Sequence, residues 1–446
     1  MNLIYNVKDK PRLGQLIIFA IQQLLAIMAA TLVVPVIVNA SGAVNLQMDS
    51  AAALLGAGVG TLVYILFTKG NSPVFLGSSF AFISAMCSAT AFGYFGIIIG
   101  ATMAGLVYVV IALAVKLAGV KWITKLMPVV VIGPTVALIG LSLAVNAVND
   151  LGTAPAGGNK LIAVLVGLVT LAVTMLCATF GKKFSKLIPF IIGILAGYAV
   201  GSVFTIIGNV AGVDALKVIN YAPLTGLFKT INLDTFLHLP KFAFVQAIDE
   251  LNGFDWAALG TIAMLYVPVA FVVFAEHIAD HKNLSSIIGQ DLLENPGLHR
   301  TLLGDGVGSI AGAFFGCCPN TTYGESVGCV AITRNASVAT IFATAIGAIV
   351  ISFFAPFVAF INTIPSCVMG GVCVALYGFI AVSGLKMIQQ VDLNEHKNLF
   401  VVAVILITGI GGLSLSFGKI QITSIACALI LGILTNLMLN AKKSAE

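Results

Sequence analysis

Apolar residues in this chain come in long unbroken runs, without the strict alternation of a half-buried strand or the polar face of a surface helix. Charged and turn-forming residues punctuate them, leaving fourteen segments near 14–38, 50–68, 74–90, 93–116, 122–147, 161–180, 187–210, 256–280, 299–317, 320–334, 336–361, 364–385, 398–414 and 420–440. About twenty apolar residues in a helix cross a bilayer, so these segments predict an all-α polytopic membrane protein. A membrane β-barrel is excluded, because its strands alternate over roughly ten residues. The third and tenth segments are too short and too Gly-rich for straight spans.

Those two segments resemble each other. The third opens Ser72-Pro73-Val74-Phe75-Leu76-Gly77-Ser78-Ser79-Phe80, and the tenth opens Pro319-Asn320-Thr321-Thr322-Tyr323-Gly324-Glu325-Ser326. Each reads as a proline, a short extended stretch, a glycine break and a residue able to start a helix. Seven spans separate them, an odd number, so the two copies are inverted in the membrane. Interrupted helices at matching positions of two halves point to a transporter binding site.

Composition narrows the class further. Of 446 residues, 59% are hydrophobic and 9% charged, and mean hydropathy is +1.08. Soluble domains carry about 25% charged residues, so a soluble enzyme and a nucleic-acid binder are both excluded. The net charge of +5 reports orientation more than partners. With the N-terminus cytoplasmic, seventeen of the 22 basic residues fall inside, from Lys8, Lys10, Arg12 and Lys69 through Lys183 and Arg334 to Lys442 and Lys443. Lys160, Lys217, Lys229, Lys241 and Lys419 fall outside. That asymmetry supports fourteen spans with both termini inside. The first apolar run lacks a small-residue cleavage site and is expected to be a retained helix. The connection over 211–255 looks partly amphipathic and reads as a surface cover. The eight cysteines lack zinc spacing and read as small packing residues.

Four acidic residues do not fit loops: Glu276, Asp280, Asp305 and Glu325. A charge at mid-membrane costs about 2.5–3.5 kcal/mol on the insertion scale, so each requires a partner or a purpose. Asp280 lies one turn beyond Glu276 on the same helix face. Glu325 follows the break at Gly324, where unpaired N–H groups favour an anion. Carboxylates converging on broken-helix ends suit a planar ring bearing paired N–H and C=O groups, and a protonated carboxylate suits a working cycle. An inorganic anion fits poorly, and a sodium site stays open. His277 and His281, four apart, offer a metal alternative, although Lys282 beside them argues against a dry ligand cage. A plainer reading places His281 and Lys282 at the cytoplasmic end of the eighth span. Gln22 and Gln23 read as interhelical hydrogen bonders or site residues, and Tyr377 as packing or interfacial.

The blocks Ala275-Glu276-His277, Asp291-Leu292-Leu293, Pro296 to Arg300, Pro319 to Glu325, Ala331-Ile332-Thr333-Arg334, Gly77 to Phe82 and Pro365 to Gly384 resemble the nucleobase–ascorbate transporter family, its uracil permease branch most of all. The resemblance spans essentially the whole chain. It implies two inverted repeats of seven spans, with short antiparallel strands in spans 3 and 10. A core domain would comprise 14–116 and 256–361, a gate domain 122–210 and 364–441, and 211–255 an extracytoplasmic connection. It also implies proton-coupled uptake of uracil through the cytoplasmic membrane by a homodimer, without a cofactor, metal or nucleic acid. A xanthine or purine permease, or a channel for uncharged solutes, are the alternatives. Glu276 and Glu325 would accept from ring N–H groups, while backbone N–H groups of Phe80 and Gly324 face the carbonyls. Tyr323 and Tyr377 would line the pocket. The proton would involve Glu276, Glu325 and Asp280, the last standing where some relatives have histidine. Gln22-Gln23 likewise replaces a Gln-His pair.

Overall fold

The computed structural model describes residues 3–40, 46–119, 121–182, 184–417 and 420–440. Lys183, Lys419, Lys442, Lys443 and residue 441, the end of the expected gate domain, lie outside the described residues. Among the described residues, eight helices are long and apolar enough to cross a membrane by length and composition, and 338–352, 396–410 and 424–440 are shorter apolar helices. The chain is therefore a multi-pass helical membrane protein.

One helix group consists of α1 (Leu13–Ala40), α2 (Ser50–Phe67), α3 (Ile83–Ala89) and α4 (Gly93–Ala118). A second begins with α5 (Val129–Ser142), α6 (Ala144–Leu151), α7 (Lys160–Phe180) and α8 (Pro189–Ala211). After the connection, which contains α9 (Ala243–Glu250), the first group resumes with α10 (Leu259–Ile288), α11 (Leu298–Gly316), α12 (Gly324–Thr333), α13 (Val338–Ser352) and α14 (Ala355–Ile361). The second group ends with α15 (Ser366–Ile388), α16 (His396–Ile410) and α17 (Ser424–Asn440). Within the first group α11 packs on α2 and α4, and α13 on α1 and α2. Within the second α15 packs on α5, α6 and α7.

Small residues decide the closest crossing. Gly56 and Gly60 of α2 face Gly308, Gly312 and Gly316 of α11, and a Cβ on Gly60 would come 2.6 Å from the Gly308 carbonyl oxygen. Association in lipid depends on such backbone approach, because apolar burial gives little drive there. Between the groups, α1 presents Met28 and Leu32 to Ile191 and Ile194 of α8 and Met369 of α15, an apolar seam. Only 28% of an 18-residue apolar stretch of α7 and 33% of that of α8 is buried, so these helices form an outer wall.

Two predicted segments break. Pro128 separates Lys121–Leu126 from α5, and Pro356, in the first turn of α14, separates it from α13. The eighth segment is longer than the sequence suggests. It runs to Ile288 and stops at Gly289, whose φ of +71° allows the left-handed cap. His281 therefore does not mark a helix end: it is fully buried. Lys282 is exposed. A hairpin of β3 (Leu415–Phe417) and β4 (Ile420–Ile422) precedes α17 and was not expected.

Lys8 donates to the Lys69 carbonyl, and the Ile4 N–H donates to that of Arg334, which gathers basic residues at one end of α2. At its other end Asp49 caps α2 and accepts from the N–H groups of Ala51 and Lys241, both at 2.9 Å. His238 Nε2 lies 3.3 Å from the same carboxylate. Burial pushes the Asp49 pKa up, but these bonds outweigh it and hold the carboxyl below its ordinary value of 3.8.

Candidate substrate site

The third and tenth segments form β1 (Leu76–Ser78) and β2 (Asn320–Thr322), which pair antiparallel with Gly77 opposite Thr321. Their prolines, Pro73 and Pro319, cannot continue a helix. Buried hydroxyls then take over the backbone groups that a helix would satisfy. Thr61 Oγ1 accepts from the Leu76 N–H at 2.9 Å, and Ser326 Oγ accepts from the Phe75 N–H at 3.0 Å. Asn320 Nδ2 donates to the Gly56 carbonyl at 3.0 Å. Tyr323 is buried; its hydroxyl donates to the Ser78 carbonyl at 2.8 Å and so ties the strands together. Phe80 opens a helical turn after β1, and Gly324 opens α12 after β2.

A cavity of about 390 Å³ lies where these ends meet the second helix group. Small-molecule sites commonly occupy about 300–1,000 Å³. Phe80, Glu276, Asp280, Tyr323, Gly324 and Glu325 all line it. Asp280 accepts from Thr322 Oγ1 at 2.8 Å. Among the described residues no hydrogen bond engages the Glu276 carboxylate. Gly324 and Glu325, the first residues of α12, line this space, where a helix start leaves backbone N–H groups unpaired.

Tyr377 does not line the cavity. It is buried and packs on Phe80, ring edge to ring face with centroids 5.9 Å apart, while its neighbours Leu376 and Ile380 reach the space. Gln23 is buried and donates to Ser326 Oγ at 2.5 Å, so it supports the β1–β2 crossing from α1. Gln22 is not among the lining residues. Asp305 is absent from the wall as well; it lies 2.7 Å from His277 Nδ1. The ring nitrogens that a metal would need are already engaged. His277 meets Asp305 and Thr301, and His281 meets Tyr64 and the His277 carbonyl.

Sequence reasoning missed Thr321, Lys186, Phe190, Phe379 and Ser383 in the wall. Thr321 sits inside the Pro319–Ser326 block and was legible by position. Phe190, Phe379 and Ser383 belong to long apolar runs, where a residue facing a cavity reads like one facing lipid, and Lys186 sits in a basic connection that reads as an orientation signal.

A polytopic helical protein that gathers carboxylates and helix ends around one internal cavity is built as a membrane transporter rather than an enzyme. Residues 14–416 match the sequence model of the Permease family, and the chain belongs to this family, the nucleobase–ascorbate transporters. It is 39% identical over 446 residues to the uracil permease of Bacillus caldolyticus, covering 99% of this chain and 96% of that protein. It is 37% identical over 432 residues to the uracil permease of Escherichia coli K12, covering 96% and 92%. In fold it is similar to the transmembrane domain of the cyanobacterial bicarbonate transporter BicA, with a TM-score of 0.61 at 15% identity over 96% of this chain and 99% of that one. It is also similar to a murine solute carrier 26 anion transporter solved in the inward-facing state, with a TM-score of 0.60 at 12% identity over 98% and 69%.

Proposed function

We propose that this permease takes up uracil together with a proton across the cytoplasmic membrane. The observation that carries the reading is the convergence of Glu276, Glu325 and the helix starts at Phe80 and Gly324 on one cavity. Carboxylates accept from ring N–H groups, and backbone N–H groups donate to ring carbonyls, so the wall complements a pyrimidinedione edge. That its relatives are named uracil permeases supports this choice over a larger base. Asp280, on the same helix face as Glu276, joins the two glutamates in handling the proton. Carboxylates this deep in a membrane protein pair with one another or relay protons.

The cycle is elevator-like. A core of 14–116 and 256–361 carries the cavity past a gate of 122–210 and 364–441, along the apolar seam of α1 and α8. Fourteen spans in two inverted repeats, both termini in the cytoplasm and a homodimeric assembly complete the proposal. Lys186 and Met387 at the cavity rim support a mouth on the cytoplasmic side.

The test is uptake of labelled uracil into proteoliposomes with and without an inward proton gradient and a protonophore, with excess cold uracil, xanthine or adenine as competitors. Gradient-dependent accumulation blocked only by uracil is expected. Accumulation of xanthine instead would replace the substrate, and uptake that neither saturates nor follows the gradient would replace the mechanism with a channel.

A further inference from the structure

One residue beyond Glu276, His277 points about 100° further around α10, away from the cavity and toward α11. Its Nδ1 lies 2.7 Å from Asp305 Oδ2 and its Nε2 3.0 Å from Thr301 Oγ1, with His277 and Asp305 both fully buried. The titratable groups around the pair are six residues from α2, α4, α10 and α12. Tyr64 of α2 bonds His281 at 2.7 Å, and Tyr108 of α4 has its ring 6.4 Å from that of His277. His281 stacks on His277 with centroids 4.0 Å apart. Glu276 and Asp280 of α10 and Glu325 of α12 complete the charged neighbours. Among the described residues no Lys or Arg pairs with Asp305, Glu276, Asp280 or Glu325.

A buried carboxylate without a cation needs another source of neutrality. His277 and Asp305 with one proton fewer carry a net charge of −1. With that proton the pair is neutral, as imidazolium–carboxylate or as imidazole–carboxylic acid. The pair also has a mechanical link to the cavity. The backbone N–H of Thr322 faces Asp305, while its hydroxyl donates to Asp280 in the cavity wall at 2.8 Å. One residue of β2 thus senses the charge on both sides of the strand.

We propose that His277 and Asp305 form a second proton-binding centre of the transport cycle, coupled to Asp280 through Thr322. One proton enters from the cavity and neutralises the pair; its return to the cavity restores the charge and strengthens the pull of Asp305 on the strand. This deepens the proton-coupled reading above and rests on it.

The test compares gradient-driven uracil accumulation with gradient-free uracil–uracil exchange, using full-length protein in proteoliposomes. His277→Gln and Asp305→Asn are each expected to lose accumulation at least tenfold while exchange falls less than threefold. A structural role alone would lower both together, and that result in folded protein overturns the proposal. Accumulation within twofold of wild type in both variants also overturns it. Should either variant fail to fold, Thr322→Val decides the matter, since it keeps the pair and cuts only the hydroxyl link. Its pH profile of uracil binding is expected to shift by at least half a unit, and an unmoved profile refutes the coupling. Wild-type liposomes that exchange uracil but ignore the gradient would overturn the proton-coupled reading and this proposal together. Intact gradient-driven uptake in the variants overturns this proposal alone.

Discussion

Replacing Gly77 with alanine should disable the site without touching a polar group in it. Gly77 pairs with Thr321, and a methyl group there would fall inside the ring of Tyr323. The ring has little room to yield. It is 3% exposed, its hydroxyl is bonded to the Ser78 carbonyl at 2.8 Å, and its backbone N–H donates to the Phe75 carbonyl at 3.3 Å. Overpacking of this kind costs about 1–3 kcal/mol. Pushing the hydroxyl off Ser78 strands a buried carbonyl for about 1–3 kcal/mol more. A combined loss on the order of 2–4 kcal/mol follows, since partial relaxation relieves one or the other. Movement of Tyr323 also shifts the neighbouring N–H groups of Gly324 and Glu325, so uracil affinity should fall at least tenfold, about 1.4 kcal/mol. The assay is thermal unfolding in detergent, followed by a thiol-reactive dye that reports exposure of the buried cysteines, together with equilibrium binding. Adding Gly77→Ala to a Tyr323→Ala background should cost much less than adding it to wild type. An unchanged unfolding midpoint with binding within twofold would refute the argument, and an equal penalty in both backgrounds would show that the ring is not the obstacle.

Three further outcomes test other parts of the picture. Glu276→Gln exchanges an acceptor oxygen for a donor and removes a charge-assisted bond of about 1.5–3 kcal/mol, so uracil binding should weaken roughly ten- to hundredfold in a titration; a change below twofold would remove Glu276 from the site. Glu325→Gln should abolish gradient-driven accumulation, and undiminished accumulation in proteoliposomes would show that it holds no coupling proton. Asp49 has a folded pKa below its ordinary 3.8, so its contribution to stability is present above that value and is lost as pH falls through the lower one. Asp49→Asn should therefore lower the unfolding midpoint at neutral pH, and the gap to wild type should narrow below about pH 4. A gap independent of pH would mean that the capping geometry matters and the charge does not.

Much of the architecture was legible because lipid imposes long apolar runs. The interrupted segments at 73–80 and 319–326 stood out for the same reason, since proline and glycine are conspicuous within them. Glu276, Asp280 and Glu325 were legible as charges where charge is expensive. What escaped depends on partners distant in sequence. His281 looked like the end of a helix because its neighbours are polar, yet Tyr64 of α2 and the His277 carbonyl engage both its ring nitrogens inside the protein. Tyr377 was placed in the wall by resemblance, whereas it packs against Phe80, and it is Phe80 that lines the cavity. The β3–β4 hairpin alternates Leu-Ser-Phe and Ile-Gln-Ile, a strand pattern hidden between two strongly apolar runs.

The connection between the two helix groups works as a tether with two fixed ends. On one side the N–H groups of Val218 and Ile219 are held by Thr205 of α8, each at 3.0 Å. On the other, the His238 N–H donates to the Phe353 carbonyl at 2.8 Å, and Glu250 of α9 accepts from the Phe95 N–H at the start of α4 at 2.9 Å. Eighteen residues separate Ile219 from His238, a contour of roughly 65 Å at full extension. Slack is therefore ample, and chain length sets no limit on how far one helix group can travel past the other. The brake is adhesion instead: the short helix Ala222–Leu227 lies against α14, and that contact must peel open before any slack can be spent.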